Sequence, residues 1–165
     1  MLKIKILLLN DSHVTKKYLN WLNDPMITVF TALKKNHFTI PSLKKNVLEK
    51  RKSKDEFLYG IFLNNSHIGN CKLGPINHKK KYSQISYFVG DKKHWNKGIA
   101  TIAINKMCKK AKDKNLKAVY AGSNVKNFAS VKALKKNNFK ISKDISDFKI
   151  NRTNKLFKKD LFSVS

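Results

Sequence analysis

The segment from His94 to Thr101 combines residue types that suit the binding of an anionic group. Before it, the apolar and β-branched run 84–90 predicts a strand. After it, apolar residues recur at the spacing of an amphipathic helix, at Ile104, Met107, Cys108 and Ala111. The first N–H groups of such a helix, which we expect to begin near Asn96, have no internal partner and carry partial positive charge. Gly98 has no Cβ to keep a ligand away, so the loop predicts a pyrophosphate site.

Two better-known phosphate loops are excluded, because the chain has neither the P-loop pattern nor the dinucleotide-binding pattern. The segment 95–100 instead resembles the acetyl-CoA loop of the GNAT acetyltransferase superfamily. That loop has Gln or Arg, then Gly three residues later, then Gly or Ala two residues after that. Trp95 replaces the usual Gln or Arg. An aromatic residue there is similar to the RimJ/RimL-like branch, which includes ribosomal-protein N-terminal acetyltransferases.

The segment from Asn127 to Phe139 resembles the second signature of the same family. On residue chemistry alone, Asn127 is an ordinary helix cap with Ser130 in the first turn. Asn138 stands where the family has glycine, and asparagine tolerates the left-handed conformation that a helix end requires. The two signatures stand in the family's order with a predicted strand, 116–121, between them.

Two further segments resemble the RimJ/RimL-like branch, at 21–25 and 68–74. In that branch the first of them lies beside the acceptor site, so the resemblance implies that Trp21 and Asp24 bind the acceptor. On residue chemistry alone, the same stretch is a helix that ends before Pro25.

The resemblance implies direct acetyl transfer from acetyl-CoA to an amine, without an enzyme nucleophile. It implies that the strand carrying Phe88 and Val89 splays from its neighbour and binds the pantetheine arm through its backbone. The implied cofactor-binding residues are Phe88, Val89, Trp95, Asn96, Lys97, Gly98, Ile99, Ala100, Thr101 and Asn127.

The sequence indicates only in part which residues donate and accept protons in the transfer reaction. Many relatives carry a tyrosine acid where this chain has Leu134, and Ser130 is the substitute that the resemblance to the RimJ/RimL-like branch implies. Gln84 stands where some relatives have an acid, which excludes a carboxylate base at that position. His78, Tyr87 and a chain of water molecules stay open as the general base.

The remaining elements must position these groups. We expect a first strand that ends near Asn10, a helix capped by Asp11 or Ser12, and a second helix capped by Ser42. A hairpin of 57–63 and 67–73 follows and ends at Pro75, and 147–150 and 156–162 supply two closing strands. The resemblance implies one domain, 1–165, of class α/β (α+β). Its fold would be the GNAT acyl-CoA N-acyltransferase fold, a mixed, mostly antiparallel sheet flanked by helices.

The net charge of +26 attracts anions of every kind. However, 34 of the 36 basic residues are lysine, whereas arginine is favoured for base reading, so no specific nucleic-acid partner is expected. Cys71 and Cys108 fit buried positions, without metal-ligand spacing or a disulfide framework. No apolar run reaches the length of a membrane span, and we expect a cytoplasmic protein without a metal.

The sequence therefore predicts an acetyl-CoA-dependent N-acetyltransferase, a monomer or homodimer, whose acceptor is a small-molecule or peptide amine. A protein N-terminal amine and a nucleotide-linked amino sugar are both open as acceptors, whereas a cationic, carboxylate-poor protein disfavours polyamines. The alternatives are a non-catalytic protein that binds acyl-CoA and, less favoured, a basic nucleic-acid-binding module.

Overall fold

The computed structural model describes residues 3–31, 33, 37–144, 146–148 and 152–162. In chain order its strands and helices are β1 (Ile4–Leu8), α1 (Lys16–Asn23), α2 (Pro25–Thr28), α3 (Ile40–Lys52), β2 (Phe57–Leu63), β3 (Ser66–Asn77), β4 (Tyr82–Val89), α4 (Ile99–Asp113), β5 (Ala118–Asn124), α5 (Phe128–Lys136), β6 (Lys140–Ile141) and β7 (Asn154–Asp160). Two short 3₁₀ helices, Asp11–His13 and Lys92–His94, lie in the β1–α1 and β4–α4 connections.

The strands form one seven-stranded sheet in the order β1-β2-β3-β4-β5-β7-β6. Only β4 and β5 are parallel neighbours, and every other neighbouring pair is antiparallel. The predicted mixed, mostly antiparallel sheet with flanking helices is therefore confirmed.

The parallel pair separates part of the way along its length. Residues Tyr82–Gln84 of β4 pair with Ala118–Tyr120 of β5, and no pairing between these strands follows. Beyond that point β4 stays paired with β3, whereas β5 stays paired with β7. The two strands thus leave an opening in the sheet at their carboxyl ends, as the resemblance implied for the strand that carries Phe88.

Helices cover both faces of the sheet. Successive side chains of a strand point to opposite faces, and here both faces carry apolar side chains that pack against helices. In β2, Ile61 belongs to the larger apolar cluster, which includes the buried faces of α4 and α5. Its neighbour Phe62 belongs to a second cluster, which includes α1 and α3.

The helices α4 and α5 follow the sequence prediction closely. The predicted apolar stripe of α4 is buried, at Ile104, Met107, Cys108 and Ala111. Each helix is followed by an asparagine in the left-handed conformation, Asn115 with φ 56° and Asn138 with φ 62°. The N–H groups of Leu116 and Phe139 then bond back to carbonyls in the last helical turn, which satisfies groups that would otherwise be unpaired. The prediction for Asn138 is confirmed.

The predicted caps of the first two long helices are wrong. Asp11 and Ser12 lie in the 3₁₀ helix, and Thr15 caps α1 by accepting a hydrogen bond from the N–H of Tyr18. Ser42 lies inside α3, where it shares a capping box with the true cap, Thr39. In both places residues able to cap a helix stand close together in the sequence, so residue type alone does not identify the one that begins the helix.

Two strand predictions also need correction. Pro75 does not end β3, which continues to Asn77 through a shift in register between Leu73 and Ile76. A proline, which cannot donate to the ladder, fits at such an irregularity. β7 pairs with β5 on one side and with the short strand β6 on the other, where a closing strand was predicted at 147–150. Asp147 and Phe148 lie outside any strand, and residues 149 and 150 are outside the described residues.

Both cysteines are buried free thiols, as predicted. Within the described ranges no group of His, Cys, Asp and Glu is arranged to hold a metal ion. None of the helices in the described ranges combines the length and the apolar composition needed to cross a bilayer.

Candidate active site

A cavity of about 650 Å³ lies at the opening between β4 and β5. It brings together four parts of the chain that are distant in sequence. They are the α2 region (Met26, Ile27, Phe30, Thr31), the end of β4 (Tyr87, Phe88, Val89), the loop and first turn of α4 (His94, Trp95, Asn96, Gly98, Ile99, Ala100, Thr101) and α5 (Asn127, Ala129, Ser130, Lys132, Ala133, Lys136).

The amino-terminal end of α4 faces this cavity. Its cap is Gly98, with φ 75°, and the helix begins at Ile99, three residues later than expected. The delay arises because Asn96 is also left-handed, with φ 60°, which is incompatible with a helical turn at that residue. No side chain in the described part of the chain caps the helix, so its first amides stay available.

Space in front of these amides is open. A Cβ built on Gly98 would meet no atom within 4 Å. Free amides, the positive end of the helix dipole and an uncrowded glycine are features that suit an anion such as a phosphate. Lys132 and Lys136 of α5 line the same cavity and add positive charge. Lys97, predicted to bind the cofactor, is exposed and does not line the cavity.

The loop before α4 is fastened to the end of β4. The indole Nε1 of Trp95 donates a hydrogen bond to the carbonyl oxygen of Val89 at 2.8 Å. On the other side of this turn lies Trp21, which is only 5% exposed. A Cβ on Gly90 would lie 2.1 Å from the Trp21 ring, so the backbone can approach the indole this closely only at glycine. Trp21 therefore supports the loop from the core and does not itself line the cavity.

Asp24, the second predicted acceptor-binding residue, is engaged elsewhere. Its Oδ1 accepts a hydrogen bond from the N–H of Met26 at 2.9 Å and so caps α2. Its Oδ2 lies 2.6 Å from the ammonium nitrogen of Lys92. The hydrogen bond from Lys92 lowers the pKa of Asp24, which is ionised at neutral pH. Asp24 lies next to the α2 residues that line the cavity but is not among them.

Ser130 and Tyr87 meet inside the cavity. Their hydroxyl oxygens are 2.9 Å apart and hydrogen-bonded. Asn127 positions Ser130 because its side-chain oxygen caps α5 by accepting a hydrogen bond from the Ser130 N–H at 3.1 Å. Burial raises the pKa of Tyr87 to about 12. The phenol is therefore neutral near pH 7, which suits a hydrogen-bond donor and not a base.

His78 lies far from these groups. It follows β3 and precedes the first residue of β4, whereas the cavity lies at the other end of β4. Its imidazole is exposed and lies 2.6 Å from a carboxylate oxygen of Asp55. The structure therefore does not bring His78 together with Ser130 and Tyr87.

Two residues of the site were missed in the sequence. Asn137 is buried, and its side-chain amide donates to the carbonyl oxygens of Thr101 at 3.0 Å and Ala133 at 2.9 Å. It thereby fixes the first turn of α4 against α5. His94 lines the cavity, although only its position in the phosphate-loop segment singled it out in the sequence. No carboxylate lines the cavity among the described residues.

Comparison with known proteins agrees with this architecture. A family model described as acetyltransferase (GNAT) domain matches residues 6–140. A solved spermidine N-acetyltransferase from Vibrio cholerae, in complex with CoA and spermine, is 17% identical with a TM-score of 0.78, over 94% of this chain and 93% of that chain.

Two other solved structures are similarly close. The Microcin C7 self immunity acetyltransferase MccE, in complex with acetyl-CoA and AMP, is 18% identical with a TM-score of 0.78, over 95% of this chain and 92% of that one. An acetyltransferase from Salmonella typhimurium that modifies the N-terminal serine of a 50S ribosomal subunit protein is 16% identical with a TM-score of 0.76, over 95% and 94%. The predicted fold class is confirmed.

Proposed function

Because the chain belongs to the GNAT acetyltransferase family, we propose that it is an acetyl-CoA-dependent N-acetyltransferase acting on a primary amine. One observation carries the proposal. A single cavity contains both the free amides at the start of α4 and the hydrogen-bonded pair of Tyr87 and Ser130. An anion-binding end and a proton-donating end are what a phosphate-bearing thioester donor and its leaving thiol require.

The residues present fit acetyl-CoA. The amides of Ile99 to Thr101 would hold the pyrophosphate, with Lys132 and Lys136 as cationic neighbours. The edge of β4 beyond Gln84 has no partner strand in β5, so backbone groups on this edge other than the Val89 carbonyl oxygen, which accepts from Trp95, would bind the amides of the pantetheine arm. When bound, acetyl-CoA supplies a thioester whose acetyl group is transferred to the amine.

The chain's own groups serve the departure of the thiol. Ser130 would donate its hydroxyl hydrogen toward the sulfur. Tyr87, kept protonated by burial, would donate to the Ser130 oxygen and so leave the serine hydrogen free to point into the cavity. Asn127 fixes the backbone that carries Ser130.

The acceptor is proposed to be a protein N-terminal amine or a nucleotide-linked amino sugar. Polycations such as spermidine are disfavoured because no carboxylate lines the cavity among the described residues, and the nearby Asp24 is paired with Lys92. Solved structures of the fold include an enzyme that modifies an N-terminal serine and one that holds AMP beside acetyl-CoA. The first supports a protein N-terminal amine as the acceptor, and the AMP bound in the second supports an acceptor linked to a nucleotide.

We also propose a branch of the family, a domain extent, an oligomeric state and a location for this chain. Within the family we place the chain in the RimJ/RimL-like branch, on the aromatic Trp95 and the segment 21–25. Residues 1–165 are proposed to form one domain, active as a monomer or homodimer. Two free cysteines fit a cytoplasmic location, where thiols stay reduced.

The test is release of CoA thiol in the presence of acetyl-CoA and a panel of amines. The panel holds short peptides with free N-termini, nucleotide-linked amino sugars and spermidine, and product masses confirm each transfer. A thiol reagent can report the reaction because both cysteines are buried, and burial raises the pKa of Cys108 to about 11. Acetylation of a peptide or sugar amine supports the proposal. Binding of acetyl-CoA without transfer to any amine would favour the non-catalytic alternative.

A further inference from the structure

One titratable ring in the cavity has no role in the chemistry described so far. His94 ends the 3₁₀ helix Lys92–His94 and lines the same cavity as Ser130. Its side chain is 24% exposed, so the imidazole is reached from the cavity but largely enclosed by protein. The ring therefore lies in the wall of the cavity in which the transfer is proposed to occur.

The two nitrogens of His94 have different surroundings. Nδ1 is buried and has no hydrogen-bond partner among the described residues. The nearest carboxylate oxygen is Oδ2 of Asp91, at 3.6 Å. A carboxylate on this side favours the tautomer with its proton on Nδ1. The lone pair then lies on Nε2.

Asp91 is held in place and charged. Its Oδ2 accepts a hydrogen bond from Lys17 at 3.0 Å, and its Oδ1 accepts one from the N–H of Lys93 at 3.2 Å. Burial acts to raise the pKa of Asp91, but the hydrogen bond and charge of Lys17 lower it overall. Asp91 is thus an anion at neutral pH, fixed between α1 and the turn that carries His94.

Two of the lysines around the turn are in ion pairs, whereas Lys93 and Lys97 on the same connection are exposed to solvent. Lys17 on α1 pairs with Asp91, and Lys92 on the same turn pairs with Asp24. Elsewhere in the cavity the titratable groups are Tyr87, whose pKa is raised, and the cationic Lys132 and Lys136. Of the lining side chains, the imidazole of His94 is the one that carries a ring-nitrogen lone pair able to accept a proton.

We propose that His94 is the general base for the acceptor amine and that Asp91 is the residue that positions it. This inference rests on the proposed function. Nε2 of His94 takes one proton from the ammonium form of the acceptor and later releases it to solvent. The amine nitrogen forms a bond to the acetyl carbon while the carbon–sulfur bond breaks. The second proton lost by nitrogen is returned to the sulfur through Ser130, which gives CoA thiol and the amide.

The kinetic test compares His94→Gln with His37→Gln, a matched change at an exposed histidine that does not line the cavity. The substrate is whichever panel amine wild type acetylates fastest. His94→Gln should lower kcat/KM at pH 7 by about 100-fold without changing acetyl-CoA affinity, and should abolish the ascending limb of the pH profile. His37→Gln should stay within about twofold of wild type. An unchanged pH profile in His94→Gln would overturn the inference while the proposed function stands.

A second measurement needs no acceptor. Long-range proton–nitrogen NMR spectra of ¹⁵N-labelled protein report which ring nitrogen carries the proton, and the signals missing from His94→Gln assign the ring. We expect the Nδ1–H tautomer, with a loss of that preference in Asp91→Asn. An Nε2–H tautomer in wild type would overturn the inference whatever the kinetics. Absence of transfer to every amine would overturn both the proposed acetyltransferase activity and the role of His94 as its general base. An Nε2–H tautomer in an active enzyme would overturn only the role of His94.

Discussion

Substitutions at Gly98 should affect the free energy of unfolding and the affinity for acetyl-CoA in different orders. Gly98 is left-handed, with φ 75°, and a Cβ added to it would meet no protein atom within 4 Å. Gly122 in β5 has equally open surroundings but no left-handed φ, and it does not line the cavity. Substitution of these two glycines by alanine therefore differs in backbone strain and in proximity to the proposed phosphate site, and not in crowding by protein.

The left-handed conformation costs alanine about 1–2 kcal/mol. Loss of glycine's freedom in the unfolded chain offsets about 0.4–1 kcal/mol of this. Gly98→Ala should therefore lower the free energy of unfolding by about 1 kcal/mol, or Tm by about 2–4 °C for a chain of this size. Gly98→Asn should lose less, because asparagine tolerates this conformation, as Asn96 does in the same loop at φ 60°.

Ligand binding should follow a different order. Both substitutions at Gly98 place a side chain in front of the free amides of α4, so both should weaken acetyl-CoA binding about tenfold or more, which corresponds to about 1.4 kcal/mol. Gly122→Ala should bind normally and stay within about 0.5 kcal/mol of wild-type stability. Calorimetric titration and thermal unfolding of the three variants make the comparison. Unimpaired acetyl-CoA binding by both Gly98→Ala and Gly98→Asn would refute the assignment of these amides to the pyrophosphate.

Two further predictions concern the hydroxyl pair and an ion-pair cluster. Ser130→Ala should lower kcat about tenfold or more with unchanged acetyl-CoA affinity. Adding Tyr87→Phe to Ser130→Ala should lower kcat little further, because the two hydroxyls act as a pair. Additive losses of kcat in steady-state kinetics would mean that the hydroxyls act independently. Burial acts to raise the pKa of Glu56, but hydrogen bonds from Lys50 and Lys72 lower it overall. A lowered folded-state pKa gives stability that is present above the unfolded value, about 4.3, and lost as pH falls through the folded value. Glu56→Gln should therefore lower Tm at pH 7, with a difference that shrinks as the pH falls through the folded-state pKa of Glu56. A difference independent of pH would contradict the ionic origin.

Local patterns in the sequence were sufficient for much of the fold. The stripe of α4 could be predicted because residues at helical spacing face one side whatever they pack against. The hairpin of β2 and β3 follows from two strand-forming runs and a short turn between them, where Asn64 and Asn65 are left-handed. The open amino-terminal end of α4 at Gly98 was predictable for the same reason, since strand, loop and helix are continuous in sequence.

The features of the site that could not be predicted depend on contacts between residues that are distant in the sequence. Trp21 matches a motif associated with the acceptor site, but its ring packs against Gly90, a position 69 residues away, and it belongs to the core. His78 lies between the end of β3 and the start of β4, whereas the cavity lies at the other end of β4. This separation becomes evident only once the direction of the strands is known. The juxtaposition of His94 with Asp91 is local, yet its importance depends on Lys17 from α1 and on the cavity beyond.

The most direct measurement is thermal unfolding with and without acetyl-CoA, at about 0.3 M salt to screen nonspecific attraction to a chain of charge +26, with ATP as the anion control. Acetyl-CoA at 100 times its Kd should add about 2.7 kcal/mol to the free energy of unfolding. At this chain length that corresponds to a rise in Tm of about 5–10 °C. A rise with acetyl-CoA and not with ATP is the result expected of the cavity between β4 and β5. Equal rises with both ligands that vanish as salt increases would contradict an acetyl-CoA site and would indicate a surface that binds polyanions without selectivity.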